Sequence, residues 1–267
     1  MPASPPPALI TGTSSGVGLA AAEAIARRGV PVVATVRSEE DAAMIEERFG
    51  VLDLDVTAEL LDVTDAEQAA EVIKRHKPGA LVNNAGDATF APLLEVDDDD
   101  SRAQLELLVV APMRLARLAA EAMRKRGDGG RIVTISSALA TVPFPSTGWY
   151  SGSKAALSSL TDTLRVELAE HGIRVVRVEL GAINTPIWDD ASEATEDRDD
   201  GPSFGAVTAV VRPLFTSSES AAETVAEATC SQHPHALYRA GLGAQVLSVV
   251  ARAPASVRDP LLRLLLG

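Results

Sequence analysis

Strand-like and helix-like stretches alternate along nearly the whole chain, and this alternation limits the fold more than any other feature. Residues 8–10 are a short apolar run stopped by Thr11-Gly12, and 19–28 are Ala-rich and helical, closed by Gly29. The pattern then repeats. Strands are expected at 31–36, 56–61, 80–82, 131–136 and 173–180. Helices are expected at 41–49 with Gly50 as the stop, at 65–74 with Thr64 or Asp65 as cap, and at 98–126, 149–171 and 220–231. Such a series predicts a parallel sheet with helices on both faces. No internal repeat and no linker divides the chain, so residues 8–267 are read as one α/β domain. Residues 1–7, rich in proline, are read as a disordered lead without the features of a signal peptide.

The apolar share of 46% can fill a sizeable core, but aromatics are only 3%, so Ala, Val, Leu and Ile must build it. The formal net charge of −13 argues against a nucleic-acid or anionic-membrane surface. Cys230 is the sole cysteine, which excludes an intrachain disulfide and a cysteine-based metal site and suits a reducing cytoplasm. No metal site and no membrane span are expected.

Two clusters carry chemistry. The loop from Thr11 to Gly18 lies between the first strand and the first helix. Its glycines let backbone N–H groups approach a pyrophosphate, and the helix N-terminus adds partial positive charge. Gly12, Ser14, Ser15, Gly16, Val17 and Gly18 are the candidates there. The second cluster is Ser137, Tyr150 and Lys154. The Tyr-to-Lys spacing is one helical turn, so both side chains share a face. An ammonium about 4 Å from a phenol at an effective dielectric near 20 favours the phenolate by about 4 kcal/mol, or about three pKa units before desolvation. Two rival motifs overlap these clusters. Gly12-Thr13-Ser14-Ser15-Gly16 fits a hydrolase nucleophile elbow, with His233 or His235 as partner, but it follows the first strand and lacks an earlier loop for an oxyanion hole. Ser151-Gly152-Ser153-Lys154 fits a serine–lysine pattern, but its companion motifs are missing.

Together the Thr-Gly-x-x-x-Gly-x-Gly loop, the Asn83-Asn84-Ala85-Gly86 stretch and the Ser137/Tyr150/Lys154 set resemble the classical short-chain dehydrogenase/reductase family over about residues 8–240. The resemblance implies a single-domain Rossmann-like fold, a doubly wound parallel sheet of about seven strands, and an NAD or NADP cofactor. It implies that Tyr150 exchanges a proton with the substrate oxygen, that Lys154 lowers the tyrosine pKa and holds the nicotinamide ribose, and that Ser137 binds the same oxygen. It sets Asp62 and Val63 near the adenine and Asn83, Asn84, Ala85 and Gly86 along the adenosine half. After the sixth strand it points to Gly181, Ile183 and Thr185. At the second strand's end, where an acid would bind an NAD ribose, stand Val36 and Arg37, and a guanidinium there predicts NADP over NAD. Glu39 and Glu40 are the alternative ribose partners.

Two positions depart from the family pattern. Leu108 stands where many members carry an Asn whose main chain helps hold a water linked to the lysine; a carbonyl survives, but the side-chain support does not, and Pro112 removes an N–H within the helix. Leu108 is the one support for the alternative to an NADP-dependent carbonyl–alcohol oxidoreductase, a cofactor-binding sensor or scaffold with weak or no turnover. Leu180 replaces a proline. The segment 186–217 is expected to cover the substrate. The Ala-Thr-Val-Arg37 context and the tail from Tyr238 resemble the hydroxysteroid- and retinol-dehydrogenase-like branch, which implies a small lipophilic alcohol or ketone. Family habit implies a homodimer or homotetramer through the two long helices.

Overall fold

The computed structural model describes residues 5–88, 90–183 and 215–266, with side chains up to residue 263. Seven parallel strands form one sheet: β1 (Ala8–Thr11), β2 (Val32–Val36), β3 (Val56–Leu60), β4 (Ala80–Asn83), β5 (Gly130–Ser137), β6 (Ile173–Leu180) and β7 (Leu237–Ala240). Their order is β3-β2-β1-β4-β5-β6-β7. β1 pairs with both β2 and β4, so the winding direction reverses there. A crevice opens at such a point, outside the carboxyl ends of the strands.

The helices follow from the apolar pattern. α1 (Gly16–Ala26), α2 (Glu39–Val51) and α7 (Ser218–Cys230) cover one face, burying Ile25, Ile45, Phe49 and Val225 against Ile10, Val82 and Val133. α3 (Ala66–His76) and α5 (Ala111–Arg126) cover the other, with Val72, Leu115 and Met123 against Leu9, Leu81 and Ile132. α6 (Gly148–Glu167) lies on β5 and β6. α8 (Gly241–Val250) and α9 (Ala255–Leu266) end the described chain. Strands buried on both faces read as continuous apolar runs, as the sequence shows.

Several expected boundaries move. The helix expected over 98–126 is broken into α4 (Asp98–Leu105), a π-helical turn (Glu106–Val110) and α5. Its N-terminus is capped by Asp97, which accepts from the Asp99 and Asp100 N–H groups. Gly50 does not stop α2, which runs one residue further, to Val51. The cap of α3 is Asp65, accepting from Glu67 and Gln68. Ser137 ends β5 instead of following it. The expected disordered lead is also corrected at its end. The Pro7 carbonyl accepts from the Gly79 N–H at 2.9 Å, and Pro6 lies where a Cβ on Gly79 would stand only 2.7 Å from its ring.

Candidate active site

The glycine loop is fixed by the strand beside it. Thr11 Oγ1 accepts from the Asn84 N–H (3.0 Å) and the Ala85 N–H (2.9 Å), while Asn84 Nδ2 donates to the Thr11 and Gly12 carbonyls, each at 2.9 Å. Gly12 has φ 70°, and a Cβ on it would lie 2.8 Å from Ala85 Cα. A Cβ on Gly18 would overlap the Gly12 carbonyl and lie 2.5 Å from Asn84 Nδ2. Both positions therefore require glycine to bring the loop, α1 and β4 together. At the N-terminus of α1 the Ser15 side chain makes no capping bond, and no acidic residue stands in the first turn. Its N–H groups and partial positive charge thus meet neither a side-chain cap nor a carboxylate, an arrangement that fits a pyrophosphate carried by Gly12, Ser14, Ser15, Gly16 and Val17.

Arg37 is exposed and directly follows β2. Asp62 sits across from it. Its Oδ1 accepts from the Thr64 hydroxyl (2.6 Å) and N–H (2.9 Å), and its own N–H donates to Gln68 Oε1 (3.0 Å). The Thr64 bonds hold the Asp62 carboxyl below its ordinary value, with a smaller pull from Arg37. Glu39 and Glu40 belong to the first turn of α2, where acidic side chains complement the helix dipole. Val63 is buried.

Asn83 is buried and donates to the Pro112 carbonyl at 2.9 Å, so its amide ties β4 to the start of α5. Asn84 is spent on the glycine loop. The side chains of these two asparagines are structural ties, a role the motif alone does not reveal. Gly86 lies beside Lys154. A Cβ there would lie 2.9 Å from Leu108 Cδ2 and 3.7 Å from Lys154 Nζ. Leu108 itself is buried inside the π-helical turn. Gly181 packs on α8, where a Cβ would stand 2.7 Å from the Ala244 nitrogen. Ile183 is buried and bridges to Thr216. Thr185 and most of the segment 186–217 lie outside the described residues.

Ser137, Tyr150 and Lys154 meet at the carboxyl end of β5. Lys154 is buried, and its ammonium donates to the Ile135 carbonyl at 3.0 Å and stands 5.9 Å from the Tyr150 ring centroid. Burial lowers the lysine to about 8. Burial also raises the Tyr150 phenol above its ordinary value, and a hydrogen bond with Ser137 pulls it part of the way back. The expectation of a phenol brought down by an ammonium 4 Å away is therefore corrected. Loss of water sets the direction, and the counter-pull comes from Ser137.

The rival readings fare differently in space. Ser14 follows the carboxyl end of β1, whereas His233 and His235 precede the amino end of β7, so in a parallel sheet they lie at opposite ends of the strands. Among the described residues no group of three or more His, Cys, Asp or Glu is placed to hold a metal, and no helix is long and apolar enough to cross a membrane.

This combination of fold and site defines a class. The family model described as short chain dehydrogenase matches residues 7–196, and the chain belongs to the short-chain dehydrogenase/reductase family of oxidoreductases. Among curated relatives, it is 32% identical to an NADPH-dependent 3-dehydrocapnine reductase of Ornithobacterium rhinotracheale, over 86% of each chain. It is 36% identical to a 3-amino-tetrahydro-pyrrolizinone reductase of Xenorhabdus hominickii over 68% of this chain, a match spanning less than two thirds (63%) of that relative. Among solved structures, L-sorbose reductase from Gluconobacter frateurii, complexed with NADPH and L-sorbose, superposes with a TM-score of 0.75 at 32% identity, covering 88% of this chain and 95% of that one.

Proposed function

We propose that this protein is an NADP-dependent reductase of ketones, with Tyr150 as the proton donor. The observation that carries the reading is the convergence of Ser137, Tyr150 and Lys154 at the carboxyl end of β5, with Gly86, which carries no side chain, beside the buried Lys154 ammonium. When bound, the dinucleotide supplies hydride to the substrate carbon. The protein's share is the proton. A Tyr150 phenol raised by burial stays protonated at neutral pH. A developing alkoxide is far more basic than a phenolate, so transfer from Tyr150 to the substrate oxygen runs downhill. The Ser137 hydroxyl is placed to donate to that same oxygen. The Lys154 ammonium, 5.9 Å from the ring centroid, is a cation on the side of the phenolate left behind and favours it. Alcohol oxidation needs the phenolate at the start, so its rate should climb with pH.

The cofactor preference rests on Arg37, an exposed guanidinium at the end of β2 in place of a carboxylate. The NADPH named for two of the similar proteins supports it. For the substrate we infer a small lipophilic ketone, on the likeness of the tail to the hydroxysteroid- and retinol-dehydrogenase-like branch and on the exposed Leu93 and Leu94. We extend the reading to a cytoplasmic homodimer or homotetramer. Val110, Leu160 and Val166, exposed beside and along the two long helices, support the assembly.

A fluorescence titration of NADPH and NADH, followed by loss of nicotinamide absorbance with 2-octanone, acetophenone or L-sorbose, tests the whole reading. NADPH should bind more tightly, and Arg37→Ala should weaken NADPH by about tenfold while sparing NADH. Tyr150→Phe should lower turnover by at least about a hundredfold with cofactor affinity intact. Full turnover in Tyr150→Phe removes the proposed acid, and preference for L-sorbose over the apolar ketones overturns the substrate class.

A further inference from the structure

Three consecutive residues of β5 grip α6. The Ile135 carbonyl accepts from Lys154 Nζ at 3.0 Å. The Ser137 hydroxyl lies close enough to the Tyr150 phenol to draw its pKa down. Between them, Ser136 Oγ lies 2.7 Å from Ser158 Oγ and 3.4 Å from the Lys154 carbonyl, and Ser158 Oγ donates to that same carbonyl at 2.7 Å. Ser136 is 2% exposed and Ser158 is 7% exposed. The first and third contacts belong to the chemistry. The middle one touches no reacting atom.

The shorter contacts favour one order of its hydrogens, although Ser136 also reaches the Lys154 carbonyl at 3.4 Å. The Lys154 carbonyl offers no proton, so Ser158 donates to it, and the Ser158 oxygen is then free to accept from Ser136. The carbonyl at the centre of this arrangement belongs to the residue whose ammonium is in the site. Ser158 lies four residues after Lys154, where such a back-bond loosens the local helical ladder. The Ser136 hydroxyl ties that loosened turn to the strand beside it.

We propose that Ser136 and Ser158 are positioning residues, a hydroxyl pair that holds the Lys154 main chain against β5 and so sets where Lys154 and Tyr150 stand relative to Ser137. The inference rests on Tyr150 as the acid/base, but its closing experiment can fail separately. In a buried site the pair costs little when satisfied, while losing both hydroxyls leaves the Lys154 carbonyl only its helical N–H, removes the side-chain link to β5 and lets α6 lift from the strand. Lys154 would then leave the Ile135 carbonyl and meet water.

The variants are Ser136→Ala, Ser158→Ala, their double, and Ser158→Thr, which keeps the hydroxyl. With 13C-labelled lysine, the Lys154 titration is followed by NMR in the cofactor-free protein, where the native value lies near 8. In the double variant it should rise by about one unit as burial is lost. With a ketone that the native protein reduces, kcat should fall by about tenfold in the double variant and by about threefold in each single, because the remaining hydroxyl still reaches the carbonyl. The NADPH dissociation constant should stay within about twofold, and Ser158→Thr should recover most of the loss. A folded double variant with native Lys154 titration and native kcat overturns the proposal. If the double does not fold, the singles decide: a loss of thermal stability without change in kcat or in the lysine titration overturns it equally. Turnover surviving in Tyr150→Phe strikes the acid/base reading instead, and leaves the lysine titration as the measure of the clasp.

Discussion

Lys154 carries the heaviest energetic load of any single residue in the site. Its amine falls from 10.5 to about 8 because burial disfavours the charged form. That drop, 10.5 minus 8, corresponds to about 3 kcal/mol. The unfolded chain holds this proton more tightly than the folded one. Stability therefore rises with pH between about 8 and 10.5, and the full penalty applies below 8. Lys154→Met removes the charge while filling the same space. The variant should be inactive yet more stable than the native protein by about 1–2 kcal/mol at pH 7, after loss of the bond to the Ile135 carbonyl. The gain should shrink as the pH approaches 10.5. Urea denaturation at pH 7 and pH 10 checks both points; a less stable variant at pH 7 would mean that the buried ammonium is no burden.

Among the elements, α3 shows how a cap serves the site. Asp65 accepts from Glu67 and Gln68, and Gln68 in turn accepts the Asp62 N–H at the end of the β3 crossover. Asp65→Ala should cost about 1 kcal/mol in urea denaturation. It should also weaken adenine-nucleotide binding more than nicotinamide mononucleotide binding, since the turn at Asp62 loses its brace; equal losses would confine Asp65 to stability. Much at this scale was legible. β1, β4, β5 and β6 are apolar runs ended by glycine or polar residues, and α1, α3 and α7 lie within a turn of where periodicity sets them, while α6 stops at Glu167 and Ala169–His171 form a 3-10 turn instead of its last turn. The π-helical break at Glu106–Val110 was not, because Leu107 to Val110 read as one unbroken apolar stretch. Pro112 marked a lost N–H, but the tie from Asn83 that accompanies it is a contact across 29 residues. β7 escaped because Leu237-Tyr238-Arg239-Ala240 is too short and mixed to read as a strand; its pairing with β6 forms it. The site's residue types were visible in their motifs, whereas the balance of burial against charge at Tyr150 needs the packed surroundings.

For the whole molecule, the net charge of −13 and the exposed Val110, Leu160 and Val166 pull against each other in assembly. Charge repels copies at a distance, and in the proposed assembly apolar contact would hold them once they meet. Sedimentation equilibrium at physiological salt should give a mass of two or four chains of 27.8 kDa. A single-chain mass at about 50 μM would remove the assembly, and Leu160→Glu should shift any oligomer toward single chains.

The bonds from Asn84 to Thr11 and Gly12 have a thermodynamic corollary. They rigidify in advance the loop proposed to carry the nucleotide, so association there would spend little on freezing backbone. Calorimetry of dinucleotide binding should then return a small entropic penalty, and amide exchange in the first turn after β1 should be slow before any guest arrives.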